Sequence, residues 1–251
     1  VGKSFVVTDD NIKRIFVSNI DYDIDTLQLK GKELRYLGYY TESVLDNEPK
    51  INIRLSDGTF EYVYPVKKTL KEIGDNGVFV QIPFLVDIDM LNDYHRRLLG
   101  KNFYLRTSIW YDENGEMISG RKFIKVTING VFPGDKVFPL RVLFETERGE
   151  TAFLLMSTKY SSVQNRMFDS LFSESDIRLK YPLINDVNWE HIVNGTVTLD
   201  MSKDECRLSL GNPSRIQERP TYEGLQEYWY YSDGMYLMFF DGLFSFLFIL
   251  Y

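Results

Sequence analysis

Few side chains in this sequence have the chemistry of a nucleophile or a proton shuttle. There is one cysteine, Cys206, and there are two histidines, His95 and His191. Cys206 lies four residues after Ser202, near a possible helix start that would lower the pKa of its thiol. It nevertheless occupies an apolar position, so we expect it to pack in the core. His191 has no catalytic partner at a useful spacing, and the sequence predicts no catalytic residue and no enzyme.

Acidic residues alternate in the segment 21–26, where Asp21, Asp23 and Asp25 are found. A calcium-binding EF-hand loop needs Gly at its sixth position and Glu at its twelfth. Here Thr26 and Lys32 occupy those positions, so we predict a solvated loop and no metal site. The chain also lacks a Gly-rich phosphate loop, a G-x-S-x-G elbow and an H-E-x-x-H helix, so we predict no cofactor.

Two groups of side chains suit binding. The densest basic group contains His95, Arg96, Arg97 and Lys101, which indicates either contact with an anionic partner or a solvated surface.

The second group is the aromatic run 228–231 together with Tyr236. Strand alternation puts Trp229 on one side and both Tyr228 and Tyr230 on the other. One side must cover a core. The other is a candidate binding surface, because exposed aromatic patches usually mark interfaces.

Composition limits the classes of partner. The chain has 251 residues, with 29 Lys and Arg against 36 Asp and Glu, for a net charge of −7. An acidic chain is a poor nucleic-acid binder, so we predict no nucleic-acid partner. No apolar run reaches the roughly 18 residues of a transmembrane helix. The chain begins at Val1 rather than Met, which indicates either a removed signal segment or an experimental choice of start.

The C-terminal segment 244–251 is apolar at nearly every position. Alternation is lost, so both faces of this strand must be buried. Its own domain, a partner or a second copy must cover it, since an exposed apolar strand aggregates.

Turn dipeptides separate short alternating segments. Asp57-Gly58 lies between two such segments and predicts a hairpin with a type I′ turn. The pattern recurs at later dipeptides, namely Asn114-Gly115, Arg148-Gly149, Asp233-Gly234 and Asp241-Gly242. Short strands at this spacing are typical of small barrels or sandwiches. Segment 29–34 also resembles segment 98–103, which indicates two related β modules, 1–95 and 96–160. Residues 66–73 suit one or two helical turns.

In segment 161–195 the residue pattern changes from strand-like alternation to helical spacing, which predicts a helical connector. Helical spacing is present at Val163, Met167, Leu171 and Phe172. After Pro182, a second short helix contains Trp189, Ile192 and Val193 and ends at Asn194-Gly195.

The segment 196–251 predicts an α+β domain. Ser202 and Glu205 form a capping box at a helix start, and Gly211 and Pro213 end that helix. A three-stranded meander follows, with strands at 227–232, 235–240 and from Leu243 onward. The helix must cover one face of this sheet.

These C-terminal residues carry a resemblance to a known family. Residues 199–246 resemble the small SmpA/OmlA-type outer-membrane lipoprotein domain, the BamE component of the β-barrel assembly machine. The matching positions are Met201, Ser202, Glu205, Cys206, Leu210, Gly211, Pro213, Trp229, Tyr231, Phe239, Asp241, Gly242 and Leu243. They cover about a fifth of the chain and are structural residues. The sequence departs from the family at its apolar ending and by the absence of a lipid-attachment cysteine at the start.

The preceding β modules resemble tandem bacterial SH3-like barrels. The expected fold is therefore mainly β, with two small SH3-like barrels, the helical connector and a BamE-like domain. The resemblance implies a cell-envelope protein of a Gram-negative bacterium, in the periplasm or at the outer membrane. It also implies adaptor work on a protein or cell-wall partner, and possible membrane association through a removed N-terminal anchor.

Two alternatives stay open. One is a hydrolase of cell-wall peptide or glycan, and the other is a structural subunit that self-associates through its apolar C-terminus. The candidate binding residues are Tyr228, Tyr230, Tyr236, Arg96 and Arg97.

Overall fold

The computed structural model describes residues 2–17, 22–43, 48–75, 80–159 and 165–249. Expectations that involve Val1, Asp21, Val163 or residues 250–251 lie outside this described part. The protein is mainly β, with 39% strand and 22% helix, and this confirms the predicted class at that level.

The structure contains strands, α-helices and short 3-10 helices. The strands are β1 (Ser4–Val7), β2 (Glu33–Glu42), β3 (Lys50–Ser56), β4 (Glu61–Pro65), β5 (Leu85–Asp87), β6 (Asn102–Leu105), β7 (Ile109–Tyr111), β8 (Met117–Ser119), β9 (Lys125–Pro133), β10 (Leu140–Thr146), β11 (Thr151–Met156), β12 (Phe172–Ser173), β13 (Arg215–Thr221), β14 (Gly224–Tyr230), β15 (Met235–Phe240) and β16 (Leu243–Ile249). The α-helices are α1 (Leu70–Asp75), α2 (Ile88–Leu98), α3 (Phe168–Leu171), α4 (Asp186–Asn194) and α5 (Lys203–Leu210). The 3-10 helices are Asp10–Ile15, Ile24–Thr26 and Ile177–Lys180.

The chain forms two compact units, and neither is one continuous segment. The first contains residues 1–101, 128–144 and 153–168, and the second contains residues 102–127, 145–152 and 169–251. The four-segment division given above stays a prediction.

The first unit contains a five-stranded sheet with strand order β4-β3-β2-β1-β5. Neighbouring strands are antiparallel. The register shifts between Tyr36 and Gly38 of β2, and Gly38 has a φ of +133°. Such an irregularity bends a strand and increases its local twist.

One face of this five-stranded sheet is covered at one end by a packed core. Strand side chains at alternating positions are buried there, and two residues from the connecting segments, Ile12 and Leu29, are fully buried against them. The buried strand residues of this core are Val7, Leu34, Leu55 and Tyr62.

A helix that the sequence analysis did not predict crosses the predicted boundary between the two β modules at residues 95 and 96. Helix α2 begins where the Asp87 carboxylate accepts hydrogen bonds from the N–H groups of Asp89 and Met90. Ile88, Leu91 and Leu98 follow helical spacing, and Leu98 is buried. Residues 88–95, inside the segment 1–95 predicted as a β module, are therefore helical.

The Asp57 hairpin forms, but not with the predicted turn. Gly58 has a φ of +92°, whereas Asp57 is not among the residues with positive φ. The Asp57 carboxylate instead accepts hydrogen bonds from the N–H groups of Thr59 (2.9 Å) and Phe60 (2.8 Å). A four-residue loop held by an aspartate side chain replaces the type I′ turn.

The repeated sequence at 29–34 and 98–103 forms the same local turn twice. The N–H of Lys32 donates to the Leu29 carbonyl at 2.9 Å, and the N–H of Lys101 donates to the Leu98 carbonyl at 3.1 Å. A glycine with positive φ lies in each turn, and a strand follows each, β2 and β6. The sequence repeat therefore corresponds to a similar turn that precedes a strand, β2 in one case and β6 in the other.

The second unit contains the C-terminal sheet, with strand order β13-β14-β15-β16. The predicted meander is present as β14 to β16, and β13 adds a fourth strand. Asp241 and Gly242 have φ values of +48° and +90° and join β15 to β16. This confirms a type I′ turn at that site.

Only part of the predicted connector is helical. The spacing that included Phe172 is wrong there, because α3 spans four residues and Phe172 is in β12, paired with Leu105. The second helix is confirmed as α4, which ends at Gly195 with a φ of +68°. None of the helices in the described residues is long and apolar enough to cross a membrane.

Candidate functional site

Helix α5 fixes one side of the C-terminal sheet, and its sequence determines its start. The Ser202 N–H donates to the Glu205 carboxylate at 2.7 Å, and the Glu205 N–H donates to the Ser202 hydroxyl at 3.3 Å. This is the predicted capping box. Glu205 also accepts a hydrogen bond from the Asn188 amide at 2.8 Å, which connects α5 to α4.

The sheet side under α5 is filled by a core centred on Trp229. Trp229 is fully buried, its ring centroid lies 4.6 Å from that of Phe239, and the Arg207 guanidinium lies 4.4 Å above it. The indole N–H donates to the Glu227 carboxylate. Leu237 belongs to the same core, so the part of this side that lies under α5 is filled by the protein's own side chains.

An ion pair connects α5 to β14 within this core. The Lys203 ammonium lies 2.6 Å from the Glu227 carboxylate, and the Glu227 side chain is almost fully buried. Burial raises the pKa of Glu227, but hydrogen bonds from Lys203 and Trp229 outweigh it and leave the pKa below its ordinary value. Glu227 therefore stays ionised and fixes the distance between helix and strand.

The opposite side of the sheet presents aromatic and apolar side chains. We define the aromatic face by Tyr228, Tyr230, Tyr236, Met238, Phe240 and Phe246. The ring centroids of Tyr228 and Tyr236 are 6.4 Å apart, and those of Tyr230 and Tyr236 are 5.6 Å apart. Phe246 is 57% exposed and the other five are partly exposed. The structure thus places all three predicted tyrosines on one surface.

Strand β13 adds positive charge beside the aromatic face. Its register pairs Arg215 with Tyr230 and Arg219 with Gln226, which places both arginines on the same side as the tyrosines. The Arg215 guanidinium lies 5.6 Å from the centre of the Tyr230 ring. Every residue of β13 is exposed. The combined surface suits a partner with acidic groups and apolar or aromatic side chains.

The sequence analysis did not identify these two arginines as candidates, because it did not predict β13. The sequence predicts this strand only weakly, because it is polar and contains Pro220. Every position is exposed, so no alternation of buried and exposed residues is present. Only the hairpin that pairs it with β14 places Arg215 and Arg219 beside the tyrosines.

Arg96 and Arg97 are in the first unit, in the last turn of α2, whereas the tyrosines belong to the second unit. Arg96 forms an exposed ion pair with Asp93, and the Arg97 guanidinium lies 5.4 Å from the centre of the Tyr94 ring. The Val131 N–H donates to His95 Nδ1 at 3.2 Å. Binding at Arg96 and Arg97 stays a prediction.

The remaining titratable candidates have structural surroundings. His191 Nδ1 lies 2.9 Å from the Thr196 hydroxyl near the end of α4. The Asp23 carboxylate accepts the N–H of Asp25 at the start of a 3-10 helix. In the described part of the chain, no group of three or more His, Cys, Asp or Glu side chains is placed to hold a metal ion.

Cys206 is fully buried under the sheet, as expected. Burial, with a contribution from the Glu205 carboxylate, raises the pKa of its thiol to about 12. A thiol in this environment lacks the exposure and the thiolate fraction that a catalytic cysteine needs. Cys206 therefore does not serve the hydrolase alternative as a nucleophile.

We expect Cys206 to resist alkylation in the folded protein. The raised pKa alone lowers the thiolate fraction on the order of a thousand-fold near pH 8, and burial blocks the reagent. Iodoacetamide labelling followed by mass spectrometry measures this, with the same protein in concentrated urea as the control. Rapid labelling without denaturant would contradict the buried placement.

Comparison of the chain with protein-family models, with curated proteins and with solved structures found no match.

Proposed function

We propose that this chain is a non-enzymatic binding protein, an adaptor of the Gram-negative cell envelope, and that the aromatic face is its recognition surface. The observation that carries the proposal is the pair of unlike sides of the C-terminal sheet. One side is filled by the Trp229 core, and the other presents six aromatic or apolar side chains to solvent. Such a surface is typical of an interface.

The proposed location, the periplasm or the outer membrane, rests on the resemblance of residues 199–246 to the SmpA/OmlA family. The capped helix over a sheet, with a type I′ turn before β16, agrees with that resemblance. The five-stranded antiparallel sheet of the first unit supports the proposal of an SH3-like module there. Membrane association through a lipid anchor and binding of a cell-wall component belong to the same proposal.

The partner we propose is an acidic protein segment. The chain has a net charge of −7, so most of its surface repels such a segment. The aromatic face differs because Arg215 and Arg219 flank it. Tyrosine and arginine are also the residues that most often contribute large binding energies at interfaces.

The test uses a photo-cross-linking amino acid in place of Tyr230, in the full chain, with envelope extract. We expect a cross-linked partner, which mass spectrometry identifies and which is then purified. Binding of that partner is measured for the wild type and for the triple variant Tyr228→Ser, Tyr230→Ser and Tyr236→Ser. Losing three aromatic contacts is expected to weaken binding by about ten-fold or more.

The matched control is Tyr222→Ser. Tyr222 is fully exposed in the turn between β13 and β14, away from the aromatic face, so this variant should bind normally. Undiminished binding by the triple variant would contradict the proposal. Increasing salt should weaken wild-type binding if the partner is acidic.

A second candidate function, self-association, is favoured by β16. This strand is at the edge of the sheet, and Phe246 and Leu247 are 57% and 45% exposed. Among the side chains that the structure describes in segment 244–247, Phe244 packs in the core, so the cover expected for Phe246 and Leu247 would come from a partner or a second copy. A cross-link from position 230 to a second copy of this chain would support self-association instead of the adaptor role.

A further inference from the structure

The first unit contains an apolar pocket that the sequence analysis did not predict. Its volume is about 620 Å³, and all of its lining residues belong to this unit. Protein interiors ordinarily have few voids larger than a water molecule, whereas pockets for small ligands measure roughly 300–1,000 Å³. The pocket therefore has the size of a site for a small molecule.

One face of the five-stranded sheet forms the base of the pocket. The register pairs Tyr36 with Leu55 and Tyr39 with Ile53, and directly paired residues point to the same side of a sheet. Ile51 and Leu55 are buried, whereas Ile53 is partly exposed. Fourteen of the nineteen lining residues are apolar or aromatic. The lining therefore favours a hydrocarbon group over a polar one.

The irregularity in β2 places two tyrosines in this pocket. Tyr36 and Tyr39 are three residues apart, a spacing that puts side chains on opposite faces of a regular strand. The register shift between Tyr36 and Gly38 inserts one extra residue, so both tyrosines line the pocket. Tyr40 instead pairs with Asn52 and lies on the opposite face. Bulges of this kind commonly re-aim a side chain beside a functional site.

The charged side chains of the lining already have partners within the protein. They belong to Lys3, Asp87 and Lys159. Lys3 and Asp87 form an ion pair with each other, and Lys159 also has an interaction partner. Among the described residues, the pocket therefore offers a ligand no unpaired charge. An ion that entered it would lose its hydration without compensation, so the pocket favours an uncharged molecule.

The two tyrosine hydroxyls are hydrogen-bonding groups that the protein itself does not use. In the described part of the chain, neither the Tyr36 nor the Tyr39 hydroxyl forms a hydrogen bond with another residue. Tyr39 and Leu70 are 53% and 51% exposed and mark the opening of the pocket to solvent. A phenolic hydroxyl both donates and accepts, so it suits a hydroxyl group of a ligand.

We propose that this pocket binds an uncharged molecule with a hydrocarbon chain and a hydroxyl-bearing end. The hydrocarbon chain lies against Ile51, Ile53 and Leu55, and the hydroxyl group forms hydrogen bonds with Tyr36 and Tyr39. A long-chain alcohol and a monoacylglycerol share this chemistry. The inference does not rest on the proposed adaptor role, because the aromatic face belongs to the second unit.

The test is a titration of the full chain with dodecanol and with monododecanoylglycerol, measured by calorimetry and native mass spectrometry. Dodecanoate and dodecyltrimethylammonium, at neutral pH, are charged comparisons with a hydrocarbon chain of similar length. We expect saturable binding of a neutral ligand, and binding of both ions that is weaker by about ten-fold or more. The tighter neutral ligand identifies the source of the hydroxyl group. No binding of either neutral ligand, or equally tight binding of either ion, would overturn the proposal.

The hydroxyl contact is tested by the double variant Tyr36→Phe and Tyr39→Phe, which keeps both rings. Loss of the hydrogen bonds is expected to weaken the tighter neutral ligand several-fold. The matched control is Tyr40→Phe, the neighbouring residue on the opposite face, which should bind as the wild type does. Undiminished binding by the double variant would overturn the assignment of the two hydroxyls.

The position of the hydrocarbon chain is tested by Ile53→Trp, whose larger side chain fills the pocket. We expect this variant to weaken binding by about ten-fold or more. Ile73→Trp, on a partly exposed residue of α1 that also lines the pocket, is a second variant for the same position. The control is Leu99→Trp, at an exposed residue of the same unit outside the lining. Undiminished binding by either pocket variant, with circular dichroism showing that it is folded, would overturn the proposed position.

Discussion

Replacing Trp229 by alanine is expected to lower the free energy of unfolding by about 3–5 kcal/mol, the range for a large aromatic residue in a packed core. Trp229 is fully buried and contacts Phe239 and Arg207. Its removal also leaves the buried Glu227 carboxylate without the indole N–H. Because small domains are stable by only about 5–15 kcal/mol, this loss is a large part of the total.

Urea unfolding followed by far-ultraviolet circular dichroism measures the effect of Trp229→Ala. The matched control is Tyr230→Ala, the next residue of the same strand, whose side chain points to the aromatic face. We expect this control to lose about 1 kcal/mol or less, because its ring is partly exposed. Similar losses in both variants would contradict the assignment of the two faces.

Asp57→Asn is expected to lower the free energy of unfolding by about 2–3 kcal/mol at neutral pH. The Asp57 side chain is only 5% exposed. One of its oxygens accepts hydrogen bonds from the Lys32 ammonium at 2.9 Å and the Tyr62 hydroxyl at 3.0 Å. Asparagine keeps the acceptor for the backbone N–H groups of the loop but removes the charge that Lys32 requires.

The loss in Asp57→Asn should depend on pH. Burial raises the pKa of Asp57, but hydrogen bonds from Lys32, Phe60, Thr59 and Tyr62 outweigh it and hold the pKa well below its ordinary value. In the unfolded chain the Asp57 carboxyl has its ordinary pKa of about 3.9. As the pH falls, the unfolded state therefore takes up a proton before the folded state does. The free energy of unfolding of the wild type therefore falls as the pH drops below about 4. The difference in this free energy between the wild type and Asp57→Asn becomes smaller in the same range.

Urea unfolding between neutral pH and pH 3 checks this dependence. The control is Glu61→Gln in the same hairpin, where Glu61 and Arg54 form a pair at 2.5 Å with both side chains about 40% exposed (39% and 44%). Exposed pairs contribute roughly 0–1 kcal/mol, so this control should change little. If the difference in the free energy of unfolding between the wild type and Asp57→Asn stayed constant down to pH 3, the charge of the Asp57 carboxylate would not stabilise the fold.

Several features could be predicted because they depend on residues near each other in the sequence. The start of α5 depends on Ser202 and Glu205, whose side chains satisfy backbone groups one turn apart. The turn into β16 depends on Asp241 and Gly242, which tolerate positive φ. The two-residue period of a strand likewise puts Trp229 and Tyr230 on opposite faces.

The aromatic face is therefore partly a property of the sequence. Alternation alone separates Tyr228 and Tyr230 from Trp229, but it does not say which side faces the core. The position of α5 decides this, because Cys206 packs with Trp229 and Leu237. Arg215 and Arg219 lie beside the tyrosines because β13 pairs with β14, and the sequence of β13 does not indicate that pairing.

Other features are determined by the tertiary structure, because their causes are distant in the chain. The low pKa of the Asp57 carboxyl depends partly on the Lys32 ammonium, which lies twenty-five residues away in sequence. The apolar pocket beside Phe5, Tyr36 and Ile53 depends on strands that are distant in the chain and meet only in the folded sheet. Local propensity determines caps, turns and alternation in this protein, whereas long-range packing determines which surfaces and volumes stay open to a ligand.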